Sequence, residues 1–123
     1  MRTQGGFTLI ELVMVIVILG ILAATAVPAL TDLDSAARQS AVEGVAGALG
    51  SASAVNYAVR SVDSAKGVPV ANCTDVSGAL EGASPIADFT ITAAAIGAGA
   101  TVECTVTHND GTETATFIAH GIS

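Results

Sequence analysis

Few residues in this chain have the type and spacing for chemistry. Glu11 is the first. It is the only ionisable side chain between Arg2 and Asp32, and it heads an apolar run from Leu12 to Leu30. A carboxylate at the edge of so apolar a segment costs about 1–3 kcal/mol, depending on depth, and usually answers to a specific partner. Cys73 and Cys104 are the second candidate pair. Two cysteines in an exported chain read as one disulfide made in an oxidising compartment. Two free buried thiols are the alternative. No third side chain of ligand type stands beside either cysteine, so a zinc site is not expected. His108 and His120 read as exposed strand-end residues, Asp110 as a turn residue and Tyr57 as a packing residue. The sequence contains no G-x-S-x-G, phosphate-loop, H-E-x-x-H or calcium-loop pattern. Neither catalysis nor a cofactor nor a metal is expected.

The elements that must position these residues follow from composition. The chain has 123 residues, which suits one small domain and a long helix. Hydrophobic residues make up 51%, much of it in the first thirty positions, so the remainder builds only a small core. The net charge is −7, from 11 acidic and 4 basic residues. Beyond residue 30 only Arg38, Arg60 and Lys66 are positive, which leaves no basic patch for nucleic acid.

Helix is predicted from about Phe7 to about Arg60. Leu12 to Leu30 spans roughly 28 Å as a helix, close to the ~30 Å of a bilayer core. Gly20 and Pro28 interrupt this apolar half. Pro28 cannot donate to Ala24 and crowds that carbonyl, so the stretch between them is where the helix can bend or unwind. In the second half, Leu30, Leu33, Ala37, Ala41, Val45, Ala48, Ala52, Val55, Val59 and Val62 recur at spacings of three and four. That stripe is expected to bury against a C-terminal sheet. Gly44, Gly47 and Gly50 lower helix propensity, so close packing is expected at them, and such small residues also let a helix of another copy approach.

Residues 61–88 read as a connection with turn signals at Lys66-Gly67-Val68-Pro69 and Gly82-Ala83-Ser84-Pro85, and one helical turn at Asp75 to Leu80. Three strands follow, at Phe89–Thr92, Thr101–Thr107 and Thr112–Ala119, with Asn109-Asp110-Gly111 as a hairpin turn. The expected class is α+β, a long N-terminal helix packed on a small antiparallel sheet. Cys104 falls on the inner face of that sheet, in reach of Cys73.

The segment Gly5-Gly6-Phe7-Thr8-Leu9-Ile10-Glu11-Leu12 resembles the processing motif of type IV prepilins. The resemblance is close from residue 5 to about 38. Asp32-Leu33 and Ala36-Ala37-Arg38 are similar to pilins of the mannose-sensitive haemagglutinin type. It implies a ladle-shaped fold, with a leader of residues 1–6, a membrane or filament-core half at 7–30, an amphipathic half at 31–60, and a loop and sheet at 61–123. It implies cleavage by a prepilin peptidase between Gly6 and Phe7, N-methylation of Phe7, and Glu11 as the assembly carboxylate. Gly20 and Pro28 fall at the family's helix-softening positions. The partners implied are other copies of the chain, the peptidase, the inner-membrane assembly machinery and the inner membrane itself before export. The filament would be extracellular.

Two alternatives stand beside this. A pseudopilin of a type II secretion system shares the N-terminus, but the end of this chain, Phe117 to Ser123, lacks the calcium ligands common in that group. A secreted binding module would instead be released by signal peptidase after Ala24-Thr25-Ala26. Glu11 at the start of the apolar region and the Gly5-Gly6 pair count against that. Asn72-Cys73-Thr74 matches a glycosylation sequon, but the neighbouring cysteine argues against its use.

Overall fold

The computed structural model describes residues 5–80 and 86–123. Met1 to Gln4 of the leader and the turn at Gly82–Pro85 lie outside the described residues. The order of elements is a helix α1 (Leu9–Val62), a 3-10 helix η1 (Cys73–Ala79), and strands β1 (Phe89–Ile91), β2 (Thr101–His108) and β3 (Thr114–His120). The chain divides into two units, residues 1–34 and 35–123.

The first unit is the N-terminal part of α1. Its large apolar side chains, from Leu9 to Leu33, are exposed on every side. The helix passes unbroken through Pro28. Two threonines inside this apolar stretch turn their hydroxyls onto the backbone. Thr25 Oγ1 donates to the carbonyl of Leu22 at 3.0 Å, and Thr31 Oγ1 to that of Pro28 at 2.8 Å. Each hydroxyl is thereby satisfied without water, as an apolar surrounding demands.

The second unit holds the core. The sheet has the order β1-β2-β3 and is antiparallel throughout. In β2 the register pairs Cys104 with Phe117 and Val106 with Ala115. Alternation sends Cys104, Val106, Phe117 and Ala119 inward, where they meet Val42, Ala46 and Leu49 of α1. Cys73 and Val76 of η1, together with Val70 and Ile96, close the remaining side.

The helix stripe differs from expectation. The buried positions of α1 are Val42, Ala46, Leu49, Ser53 and Asn56. The predicted stripe is largely exposed, with Ala41, Ala48 and Val55 in solvent and Val62 90% exposed. Both sets obey a spacing of three and four, so periodicity alone did not choose between them. The choice is made by two polar residues. Ser53 Oγ accepts the N–H of His120 at 2.8 Å. Asn56 Nδ2 donates to the Val68 carbonyl at 2.9 Å, and its Oδ1 accepts the Val68 N–H at 2.8 Å. Buried side chains that pair backbone groups keep their place in a core. Gly67 makes the Asn56 contact possible: its φ is +71°, and a Cβ there would stand 2.5 Å from Asn56 Oδ1. Of the three helix glycines expected to be closely packed, only Gly50 meets a neighbour, with the Phe117 Cβ at 3.7 Å.

Smaller differences are local. The short helix begins at Cys73, not Asp75, because Asn72 caps it: Asn72 Oδ1 accepts from Thr74 N while Asp75 Oδ2 accepts from Asn72 N. This reciprocal box uses the sequon asparagine as a cap. His108 and His120 are half-buried and not exposed. His108 meets Phe89 edge-on at 5.0 Å between ring centres, and His120 lies 5.5 Å from Tyr57.

Candidate assembly site

Gly6 and Phe7 lie in the short non-helical segment before α1. Phe7 is 93% exposed. A Cβ at Gly6 would meet nothing within 4 Å, so the fold itself makes no demand for glycine there. The same holds at Gly20.

Thr8 ends the segment and caps the helix. Its backbone N–H donates to Glu11 Oε2 at 2.9 Å, and its hydroxyl donates to the same oxygen at 3.0 Å. The Glu11 N–H points back to Thr8 Oγ1 at 3.4 Å. Thr8-x-x-Glu11 is therefore a capping box, in which side chains satisfy amides that the first helical turn leaves open. Helix begins at Leu9 and not at Phe7 for this reason. Sequence reasoning singled out Glu11 and missed Thr8, although a threonine three residues before a glutamate is the ordinary signal of such a box.

The geometry holds the carboxylate in one orientation and leaves part of its capacity unused. Both Thr8 groups bind Oε2, and Oε1 has no partner among the described residues. An ionised carboxylate accepts at both oxygens. Phe7, Glu11, Leu12, Met14 and Val15 line an apolar hollow of about 490 Å³. The hollow juxtaposes an aromatic ring, a fixed carboxylate and exposed aliphatic surface. It offers an ammonium ion one oxygen and offers apolar side chains a place to bury.

The helix carrying this site is long and apolar enough to cross a membrane. Glu11 is its sole charged residue before Asp32. In the second unit, Cys73 and Cys104 are bonded, with Cα atoms 5.8 Å apart and both side chains buried. The bond ties the start of η1 to the middle of β2. Among the described residues no group of three or more metal-ligating side chains gathers.

Comparison with known proteins agrees with this arrangement. Residues 1–27 match the prokaryotic N-terminal methylation motif. Over 84 residues the chain is 49% identical to the type IV narrow pilus major component PilA5 of Thermus thermophilus. That alignment covers 68% of this chain and 66% of the relative. It is longer than the stretch of close resemblance expected from the N-terminal motif, so the similarity extends past residue 38. No solved structure matches the chain. A methylation motif, a capped glutamate at the head of an exposed apolar helix and this degree of identity place the chain in the type IV pilin family.

Proposed function

We propose that the chain is the structural subunit of an extracellular type IV pilus. It is made as a precursor held in the inner membrane by α1. Prepilin peptidase cuts after Gly6, and the new Phe7 amine is methylated. The mature chains then polymerise through their apolar helices, with the assembly machinery drawing them from the membrane.

One observation carries the reading: the apolar half of α1 is exposed on every side, with a single oriented carboxylate at its head. Exposed apolar surface of this extent demands either lipid or other helices. The membrane serves before assembly, and neighbouring helices serve after it. Glu11 supplies register. Cleavage turns the Phe7 nitrogen into a positively charged amine, and methylation leaves the charge. An ammonium and a carboxylate attract strongly in an apolar surrounding, and each unpaired carries a desolvation cost of several kcal/mol. The Phe7 amine of an incoming subunit meets Glu11 of one already in place and fixes its axial position. Gly20 and Pro28 let the apolar half adapt to the filament.

The experiment is to shear filaments from cells and weigh their subunit. The expected mass is that of residues 7–123 with an N-methylated Phe7. A terminus at Met1, or one just after Ala26, contradicts the reading. The variant Gly6→Leu should accumulate uncut, because a peptidase groove that closes on bare backbone has no room for a side chain. Recovery of methylated Phe7 from that variant would overturn the cleavage assignment.

A further inference from the structure

The strand β3 lies at an edge of the sheet, whose order is β1-β2-β3. One side of it is bonded to β2. The His108 N–H donates to the Glu113 carbonyl at 3.0 Å, and the Gly121 N–H to the Ala100 carbonyl at 2.9 Å. In an antiparallel ladder, bonded pairs alternate with unbonded ones. Ala115, Phe117 and Ala119 therefore direct their backbone groups to β2, and Thr114, Thr116, Ile118 and His120 turn theirs to the open side.

The chain closes this open side at both ends. Gln39 Nε2 donates to the Thr114 carbonyl at 3.3 Å. Ser53 Oγ accepts the His120 N–H at 2.8 Å. Just beyond, Ile122 and Val70 exchange backbone bonds of 3.0 and 2.8 Å, so that an extended segment lies antiparallel along the same edge. Between these closures lie the N–H and C=O of Thr116 and those of Ile118. None of these groups has a protein partner among the described residues. They border a groove of about 530 Å³ between β3 and α1. Ala46, Gly47, Gly50 and Ser51 form its helix side. A Cβ at Gly47 would meet nothing within 4 Å, so the space beside it is open. No lysine or arginine lines the groove, whereas Glu43 does. Glu103 of β2 stands opposite Ile118, and both carboxylates are exposed.

We infer that this edge takes up an extended, basic segment of another protein as an added strand. The backbone selects the class. Donor and acceptor pairs on alternate residues are matched by another strand, which bonds to them through its own alternate residues. The pairing of Val70 with Ile122 is the same contact, made by the chain itself. Space selects the inward side chain. The residue opposite Phe117 falls on the helix side of the sheet, beside Gly47 and Gly50, and is small and apolar. Charge selects the others. Residues opposite Thr116 and Ile118 fall on the outer face, within reach of Glu103, and lysine or arginine there is attracted. No strand of this chain carries lysine or arginine, and a net charge of −7 sets its copies against one another. The segment therefore comes from a different protein. The closures at Gln39 and Ser53 limit it to about five residues at roughly 3.4 Å each. A contact so short is weak and reversible. Every residue involved belongs to the body at 35–123, so the inference does not depend on how the subunit assembles.

The test titrates the isotope-labelled full chain, held in an uncharged detergent, with an acetylated and amidated heptapeptide that alternates lysine with valine. The amide signals of Thr116 and Ile118 should move together along one saturating curve. Gly47→Leu fills the groove from the helix side, and Glu43→Gln with Glu103→Gln removes its charge. Each should weaken binding roughly tenfold, with signals distant from the groove unchanged. The same peptide methylated on its lysine backbone nitrogens keeps every charge but offers β3 no N–H, and it should leave the two signals in place. Equal binding of the methylated peptide would mean attraction by charge alone and overturn the inference. So would two signals that the parent peptide does not move, or wild-type affinity in either variant. Signals that move when the chain is concentrated without peptide would assign the edge to a second copy and overturn it as well.

Discussion

At the scale of the residue, Glu113 shows how a single carboxylate can be fixed by its neighbours. Ser35 Oγ donates to Glu113 Oε1 at 2.6 Å, and Arg38 Nε stands 3.3 Å from Oε2. The Glu113 side chain is 10% exposed. Gly111 leaves room for the pair, since a Cβ there would collide with the Glu113 carboxylate and crowd Arg38. The Ser35 hydroxyl, then the residue's own backbone amide, and to a lesser degree Arg38 hold the Glu113 carboxyl down to about 2, against an ordinary value of 4.5. A depressed carboxylate stabilises the fold fully above its ordinary value and loses that contribution as pH falls toward the folded value. The window here runs from about pH 4.5 down to about pH 2. Removing the largest cause with Ser35→Ala should lower stability at pH 6, and the difference from wild type should vanish near pH 2. Urea unfolding of the detergent-solubilised chain at both pH values measures it. An equal difference at the two would rule out the proton linkage. Glu11, three residues beyond Thr8, is another oriented carboxylate. Its spacing from Gly6 and Phe7 was legible because the motif is local and unbroken. Thr8 was equally legible as a cap and went unread because attention fell on the charge.

At the scale of the element, the strands were legible and the helix face was not. Alternation in Thr101–Thr107 sends every second residue inward, and one edge of the core is enough to confirm the phase. The β2 and β3 boundaries differ from expectation by one or two residues. On α1, valines and alanines occur on every side, and the two polar residues that mark the true core face, Ser53 and Asn56, look like solvent-facing residues in the sequence. Their partners, His120 and Val68, are fixed only by the tertiary fold. Asn56→Ala leaves the N–H and C=O of Val68 without their partner. Each unmatched group costs about 1–3 kcal/mol, so the unfolding free energy should drop by at least that range's lower end. No change would mean that water replaces the side chain. The disulfide was legible from the cysteine count and an export signal. It closes a loop with a sequence separation of 31. Such a loop contributes roughly 3–4 kcal/mol in the chain-entropy account. Cys104→Ser should therefore lower subunit abundance and open the loop to proteolysis. Labelling of both wild-type cysteines by an alkylating reagent, without prior reduction, would contradict the bond.

At the scale of the whole molecule, the chain is a small disulfide-tied domain joined to a helix that it does not bury. Core residues such as Val42 and Leu49 come from the second half of α1, and none comes from the first. That division matches the two demands on the chain, a folded body and an apolar shaft that lipid or other copies must cover. The proposed role of Glu11 is to fix the register in which this shaft polymerises. It is tested most directly by Glu11→Val, with surface filament and inner-membrane subunit measured in the same cells. Valine keeps the segment apolar, so cleavage after Gly6 and membrane insertion should persist. The account predicts a processed, methylated subunit that accumulates in the inner membrane while sheared filament falls to a small fraction of wild type. Wild-type amounts of filament from that variant would contradict it.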